Sequence, residues 1–439
     1  MEGSSEGSLE CQVREDFRFS CYGPTKYKYD NKQYCILHCP SEKNADDFKQ
    51  ALQSKRDRED FKFPGVHFPS GIRRLYAIFR EEADFREATF SEMVYFTHAV
   101  FIKGAVFGGA TFSKGVLFSE ANFYDRASFY ETTFSDEAYF NKVAFSDEAV
   151  FDRVAFSKGV YFSGATFKEG ALFYTLNVFP RTALVFSGAI IEKPERMYFH
   201  TSFLRPSWFV DVDAQKFDFS DVEWFRIPHG SLQPLTLAIP DASEPDTDEL
   251  KPLTLENEIE NLVVVVEGQP EDETSWSQGS RTRNLRKLTK ACRRLMNNAE
   301  ENRDYPTANE MHYWSMEAQR KEGWSRLGLI ATLYWALSGY GERPLRAFGV
   351  LVVIYAVFAV LYMLLPSSPF SVLSTAAVCE YLGCVGEAAT YSLSALARLL
   401  PAEPRLSPGL FQFLVTVEGI LGPLQIALFF LAVRRKVMR

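Results

Sequence analysis

Phenylalanine returns at positions 85, 90, 96, 101, 107, 112, 118, 123, 129, 134, 140, 145, 151, 156, 162, 167 and 173. The gaps alternate between five and six residues without a break, so the underlying period is eleven. Two residues before each Phe stands a small or β-branched residue: eleven Ala, five Val and one Thr over the seventeen repeats. Side chains alternate faces along a β-strand, so positions i−2 and i point one way and i−1 the other. Each unit therefore predicts one short strand and one turn, with Phe and its small companion turned inward. A helix cannot use this pattern, because steps of five and six residues at about 100° per residue scatter the Phe around the cylinder. A unit too short to bury its own apolar face must stack on its neighbours, and stacking at a fixed period makes a solenoid.

The segments ATFSKGVLFSE (Ala110 to Glu120) and ATFKEGALF (Ala165 to Phe173) display the unit most plainly. It resembles the pentapeptide-repeat family, written A-x-F-x-x, in its variant with alternating five- and six-residue spacing. The resemblance implies a β-solenoid that is a right-handed, four-sided β-helix, its coils stacked about 4.8 Å apart by backbone pairing. Four units span 22 residues, so the seventeen Phe make about four coils. That register places Tyr95, Leu117, Tyr139 and Tyr161 in one outward column and Val106, Ser128, Val150 and Leu172 in the opposite one. The other two walls carry Thr89, Thr111, Asn122, Thr133 and Thr166. The tyrosine column has two explanations: the β-propensity of aromatic residues on exposed strands, or an interaction face for another chain or for the C-terminal helices. After Phe173 the Phe spacing loosens, and 174–228 read as further coils with insertions, while 61–82 read as an irregular cap. Together 61–228 form the solenoid domain. Some members of the family mimic duplex DNA. Here twelve Asp/Glu face eight Lys/Arg between Ala83 and Phe173, and a net −4 is too mild for that role. The whole chain carries −8, so nothing global draws in nucleic acid, and no nucleic-acid partner is expected.

Residues 1–60 are polar and hold four of the seven cysteines. The first ten residues lack the apolar region of a secretory signal, which points to a reducing compartment. There, clustered Cys serves metal binding more often than disulfides. The spacing Cys35-x2-His38 lets two side chains reach one tetrahedral ion from a tight turn. Cys11 and Cys21 can supply the other ligands, with Cys39 as competitor, so a structural zinc and a set of free structural thiols both stand as readings. A short helix is expected from about Asn44 to Lys55, patterned by Phe48 and Leu52.

Residues 229–280 form an acidic linker (ASEPDTDELKP) with one short strand, LVVVVEG (262–268). Residues 281–342 make a helical neck. Its first helix carries Leu285, Leu288, Cys292 and Leu295 on one face and a basic surface suited to acidic headgroups. Pro306 suits the first turn of the second helix. The stretch NAEENRDYPTANEMHYWSMEAQRK resembles one helix-turn-helix of the tetratricopeptide type. Trp324 to Leu337 is apolar but too short to span, and Trp324, Tyr334, Trp335 and Tyr340 suit a membrane interface.

Residues 343–439 hold two longer apolar runs, Ala347 to Leu365 and Gly409 to Val433, each long enough to cross a hydrocarbon core of about 30 Å. Arg343 and Arg346 precede the first, and Arg434, Arg435, Lys436 and Arg439 follow the second. Loop 367–408 has only Arg398 and Arg405. The positive-inside rule predicts a cell-membrane protein with both termini cytoplasmic and the loop outside, where Cys379 and Cys384 can form a local disulfide. Two spans with such a loop resemble the two-helix, pore-loop architecture of potassium channels. That family builds its filter on a Thr-x-Gly-Tyr-Gly run. Here Ser394 to Leu400 fill the place with no glycine, and Arg398 would repel a cation. Gly339-Tyr340-Gly341 lies before the first span, where a helix stop with an interfacial Tyr is expected. Glu418 is the ionisable residue inside a span: it either lines a pore or binds a cation, or it is protonated or paired with an Arg or a polar group such as Gln412 or Gln425 at a helix contact. Gly422-Pro423 should kink that helix.

No nucleophile motif, P-loop, dinucleotide fingerprint or zincin signature occurs in the sequence, so the chain is not expected to be an enzyme. The expectation is a bilayer-anchored, homo-oligomeric scaffold with an unnamed protein partner; the alternative is an oligomeric two-span channel gated by the solenoid.

Overall fold

A computed structural model describes residues 11–224, 278–364, 381–396 and 410–437, apart from 14, 16, 18–20, 22–24, 42–43, 76, 179–182, 201–202, 323–325 and 342. Two compact units divide the chain, Met1–Asn302 and Arg303–Arg439. The acidic linker with its LVVVVEG strand, Cys379, and residues Arg398 to Arg405 lie outside the described residues.

In the first unit, the Phe repeat makes four parallel sheets, the longest of seven strands. Register runs in steps of 22: Thr89 pairs with Thr111, Thr111 with Thr133, and Thr133 with Ala155. The inward positions are sealed, and all seventeen Phe of the regular repeat are fully buried or nearly so. Their rings form four columns. In one, Phe68, Phe90, Phe112, Phe134 and Phe156 stack with centroids 4.5, 4.7, 5.1 and 5.2 Å apart. These separations follow the spacing of hydrogen-bonded strands, so a ring bonded to each coil is carried into van der Waals contact with the next. Thr132, the polar member among the i−2 positions, is buried and donates its hydroxyl to Phe107 O at 2.8 Å.

Every second unit turns through a left-handed residue two positions after its Phe. Glu87, His98, Glu120, Glu131, Lys142 and Arg153 adopt positive φ there, with Gly109 and Gly164 in the same columns. Each non-glycine residue costs roughly 1–2 kcal/mol of backbone strain, which the coil pairing on both sides holds in place. Neighbours in these columns pair across coils, Glu131 with Arg153 at 2.8 Å and Glu120 with His98 at 3.3 Å.

The solenoid is longer than the regular repeat at both ends. Residues 61–82 are a first coil rather than only a cap: His67–Phe68 pairs with Thr89–Phe90, and Ile78–Phe79 with Val100–Phe101. Bridges Lys62–Asp84 and Arg74–Tyr95 supply the other two sides. Beyond Phe173, the strands at Asn177–Val178, Leu184–Val185, Ile190–Ile191, Met197–His200 and Asp218–Ser220 continue the ladders, with insertions between them.

Both ends are covered. Helix α1 (Ala45–Asp57) starts at Asn44, whose side chain accepts from the amides of Asp46 and Asp47. It sets Phe48 against Phe68, ring centroids 5.7 Å apart. Helix α2 (Gln278–Glu301) lies against the short 3-10 turn Pro206–Phe209 and buries Leu285, Leu288, Cys292 and Leu295. Asn298 donates to the carbonyls of Gln215 and Phe217 at 2.8 and 2.7 Å, and Arg294 to Val212 O at 2.7 Å. The basic face was expected to meet acidic headgroups. Two of its cations instead pair with the solenoid, Lys287 with Asp211 at 2.6 Å and Arg294 with Asp213 at 3.9 Å.

The second unit is helical. It comprises α3 (Tyr305–Lys321), α4 (Arg326–Ser338), α5 (Pro344–Leu364), α6 (Tyr381–Leu396) and α7 (Leu410–Val437). Asp304 caps α3, with Pro306 in its first turn. Helices α2 and α3, read together above as one tetratricopeptide-like pair, fall in different units. Helices α5 and α7 pack on each other, and α6 packs on both. Both are long and apolar enough to cross a membrane, yet only 17% of each apolar window is buried. Val353, Val357, Val360 and Leu364 are exposed along one stripe of α5, and Phe413, Ile420 and Leu424 along one of α7. α7 continues through Pro423 as one helix.

Candidate functional site

Four of the five residues singled out as metal ligands converge. A two-stranded hairpin, Tyr27–Tyr29 with Lys32–Tyr34, turns through Asp30 and Asn31, both at positive φ as a tight hairpin turn requires. It delivers Cys35 into a turn in which the amides of His38 and Cys39 both donate to Cys35 O at 3.2 Å. The chain at Cys11 is pinned alongside by Gln12 N donating to Gln33 O at 2.8 Å. His38 Nδ1 lies 3.0 Å from Cys35 Sγ, 3.5 Å from Cys21 Sγ and 3.8 Å from Cys11 Sγ. All four ligand atoms sit within 4.8 Å of one another. Zinc–sulfur and zinc–nitrogen bond lengths put tetrahedral ligand atoms roughly 3.5–3.8 Å apart, so the group fits that geometry. Cys35 N donates to Cys11 Sγ at 3.2 Å, and His38 Nε2 meets Pro64 O at 3.1 Å. The second contact makes Nε2 the donor, and in that neutral tautomer Nδ1 is the atom that can ligate.

Cys39 does not join this group. Its sulfur faces Ser41 Oγ at 3.0 Å, because its side chain leaves the turn on the other side from Cys35.

Burial opposes charge on His38, but hydrogen bonds that the protonated ring donates to the Cys11 and Cys35 sulfurs, with the attraction of their negative charge, outweigh it and push the imidazole up to about 9. Bonds from Cys11 and Cys21, then from His38, hold the Cys35 thiol far below the ordinary thiol range against its burial. Hydrogen bonding to Cys11 and Cys35, then burial, pushes the Cys21 thiol up, so the group shares its charge unequally and binding a metal would release protons from it.

The outward tyrosine column exists as the register required. Tyr95 pairs with Leu117, Leu117 with Tyr139, and Tyr139 with Tyr161 on one sheet. All four are half-buried. The Tyr139 and Tyr161 rings stack at 5.1 Å, Arg74 lies over Tyr95 at 6.0 Å, and the Tyr139 hydroxyl donates to Glu137. Burial, then the Glu137 carboxylate, pushes the Tyr139 phenol up.

Glu418 is fully buried inside the helical unit. Tyr362 on α5 donates to its Oε2 at 2.5 Å, and Ser392 on α6 donates to its Oε1. The expected Gln partners are elsewhere: Gln425 donates to Leu337 O at 2.9 Å and Ala347 O at 2.8 Å, tying α7 to the ends of α4 and α5.

Gly339-Tyr340-Gly341 does more than stop a helix. Three successive residues hold positive φ, at 58, 61 and 75°. A Cβ on Gly341 would stand 2.7 Å from Tyr334 Oη. Tyr340, expected at a lipid interface, is fully buried. Its hydroxyl donates to Glu317 on α3 at 2.8 Å, and its carbonyl accepts from Arg435 on α7 at 2.8 Å. Arg320, which also binds Glu317, and Arg346 both lie over the Trp335 ring, at 5.0 and 4.2 Å. One turn therefore ties the neck helix to the basic end of the second apolar helix. The sequence signal that could have found it is a glycine pair around an aromatic between two helical runs.

The described residues thus define a pentapeptide-repeat β-solenoid with C-terminal helices, two of them candidate membrane spans, and a Cys3His group able to hold a metal ion. The family model described as Pentapeptide repeats (9 copies) matches residues 76–121 and 118–166. No curated protein and no solved structure matches the chain.

Proposed function

We propose that the chain is a non-enzymatic scaffold, held in a bilayer by α5 and α7, whose solenoid offers a rigid wall to a protein partner. The observation that carries the anchor is the exposed apolar stripe on each of these helices: a core helix of a soluble domain buries such a face, whereas lipid accepts it. The wall follows from the ladder, which consumes every Phe of the regular repeat in its interior and leaves the Tyr95, Leu117, Tyr139 and Tyr161 column outward. Both termini face the cytoplasm, given the basic residues at 343, 346 and 434–436. Zinc is the ion this reading assigns to Cys11, Cys21, Cys35 and His38, in a closed structural site with no open position for substrate.

The test is sidedness in sealed vesicles. An epitope placed in loop 367–408 should be reached from the outer face by an impermeant protease, and a C-terminal epitope should not. The reverse accessibility, or release of the protein by alkaline carbonate, refutes the anchor. Tyr139→Asp with Tyr161→Asp should dissociate any homo-oligomer formed through the column. An unchanged particle mass refutes self-association by that face.

The alternative, an oligomeric two-span channel, draws on α6, a helix packed against both spans. Glu418 weighs against it, since both its oxygens are engaged within one chain rather than turned to a shared pore.

A further inference from the structure

The open end of a β-solenoid is a hazard: four strand edges with unpaired backbone groups above a column of aromatic rings. In this chain the segment that carries the Cys3His group covers part of that end, beside helix α1 with its Phe48 on Phe68. His67 N, at the edge of the first coil, donates to Leu37 O at 3.1 Å, where another coil would otherwise pair. Pro64 O, the neighbouring edge carbonyl, takes the contact from His38 Nε2 at 3.1 Å. Leu37 and Cys39, either side of His38, are fully buried. Phe17, midway between Cys11 and Cys21, is buried against the same coil: a Cβ on Gly65 would stand 3.0 Å from its ring, and Arg86 lies over it at 5.7 Å. Beneath lie Phe63 and Phe68, stacked on Phe85 and Phe90 at 5.2 and 4.5 Å.

Among the described residues between Cys11 and Cys39 the strands are those of one hairpin, three residues each, and a lone hairpin is marginal in water. A metal joining Cys11, Cys21, Cys35 and His38 closes that segment into crossed loops and fixes the His38 ring that reaches Pro64. We infer that the metal centre is the lock of the solenoid's N-terminal cap, and that releasing the ion frees the edge and the ring column of the first coil for pairing with a second copy of the chain.

This inference rests on the zinc reading, and one experiment separates the two. Full-length protein in detergent is purified with zinc, its metal content is measured by mass spectrometry, and amide exchange is followed before and after stripping with a chelator. The expected result is about one equivalent of zinc. After stripping, exchange should be about tenfold faster or more in peptides covering 61–90 and nearly unchanged in 105–156, with a concentration-dependent rise in particle mass. Protein that neither carries nor takes up zinc overturns the zinc reading and this inference with it. Zinc present, with unchanged exchange in 61–90 after its removal, overturns the lock alone. Acceleration spread evenly over the solenoid overturns it as well, because a cap acts locally. So does local opening without a rise in particle mass, for the second-copy part. His38→Cys guards against simple misfolding: four cysteines still make a tetrahedral zinc site, but the contact to Pro64 O is gone. This variant should hold zinc and show several-fold faster exchange in 61–68. Wild-type exchange there contradicts the role assigned to His38.

Discussion

Phe129 sits in the middle of the ring ladder, fully buried. Its ring stacks on Phe107 at 5.0 Å and Phe151 at 4.9 Å, and meets Phe118 and Phe140 edge-on at 5.7 and 5.4 Å. Phe129→Ala removes the ring from neighbours that the coil pairing prevents from collapsing. Large-to-small changes at such sites cost about 3–5 kcal/mol, and the missing stacked pairs push the value to the upper part of that range. A solenoid transmits such a loss mainly to adjacent coils. The opening equilibrium of peptides covering 107–151 should therefore rise by at least a hundredfold, about 2.7 kcal/mol, while 61–80 and 197–220 change little. Native-state amide exchange reads this directly. Tyr139→Ala, on the outward column of the opposite side, is the comparison and should cost about 1 kcal/mol or less. Equal cost at the two positions would refute the division between an interior ladder and an outer face.

Gly170 offers a sharper backbone test: it holds φ +90°, and a Cβ there would lie 2.2 Å from Arg196 O. Gly170→Ala should destabilise the C-terminal coils by more than Gly188→Ala, where φ is +68° but nothing lies within 4 Å; thermal unfolding of both variants in detergent makes the comparison. Burial alone would raise the Glu317 carboxyl, but hydrogen bonds from Arg320 and Tyr340 win and hold it below the ordinary carboxylate range. The folded state then binds fewer protons than the unfolded state, so this contribution is complete above the ordinary carboxylate range and is lost as pH falls through the depressed folded value. Glu317→Gln should flatten that acid limb of a melting-temperature profile, and an unchanged limb would discount the pair. Tyr340→Phe, which deletes the hydroxyl bond to Glu317, should cost about 1.5–3 kcal/mol, read as a lowered melting temperature of the helical unit.

The regular coils were legible because Phe spacing maps onto a strand period that only one architecture satisfies. The outer column followed from the same register. The first coil was less so: Phe61, Phe63, Phe68 and Phe79 serve the same ladder, but their spacing breaks the five-six alternation, and only cross-coil pairing reveals it. The α2 apolar face was visible, but an apolar face looks the same whether it meets a solenoid or another helix. Asn298, which satisfies three backbone carbonyls of the terminal coil, carries no signal of that in sequence. Cys39 stands beside His38 in sequence yet points away, because adjacent residues in a turn diverge. Glu418 could be flagged as costly within a span, whereas its partners Tyr362 and Ser392, 56 and 26 residues away, are a matter of helix packing.

The account stands on an anchored scaffold rather than a conductor, and ion flux in proteoliposomes tests this most directly. The reconstituted protein should resist alkaline extraction and leave the flux of monovalent cations equal to that of empty vesicles, with Glu418→Gln indistinguishable from the parent chain. Flux above the empty vesicles, altered by Glu418→Gln, would contradict it and make the two-span unit a pore.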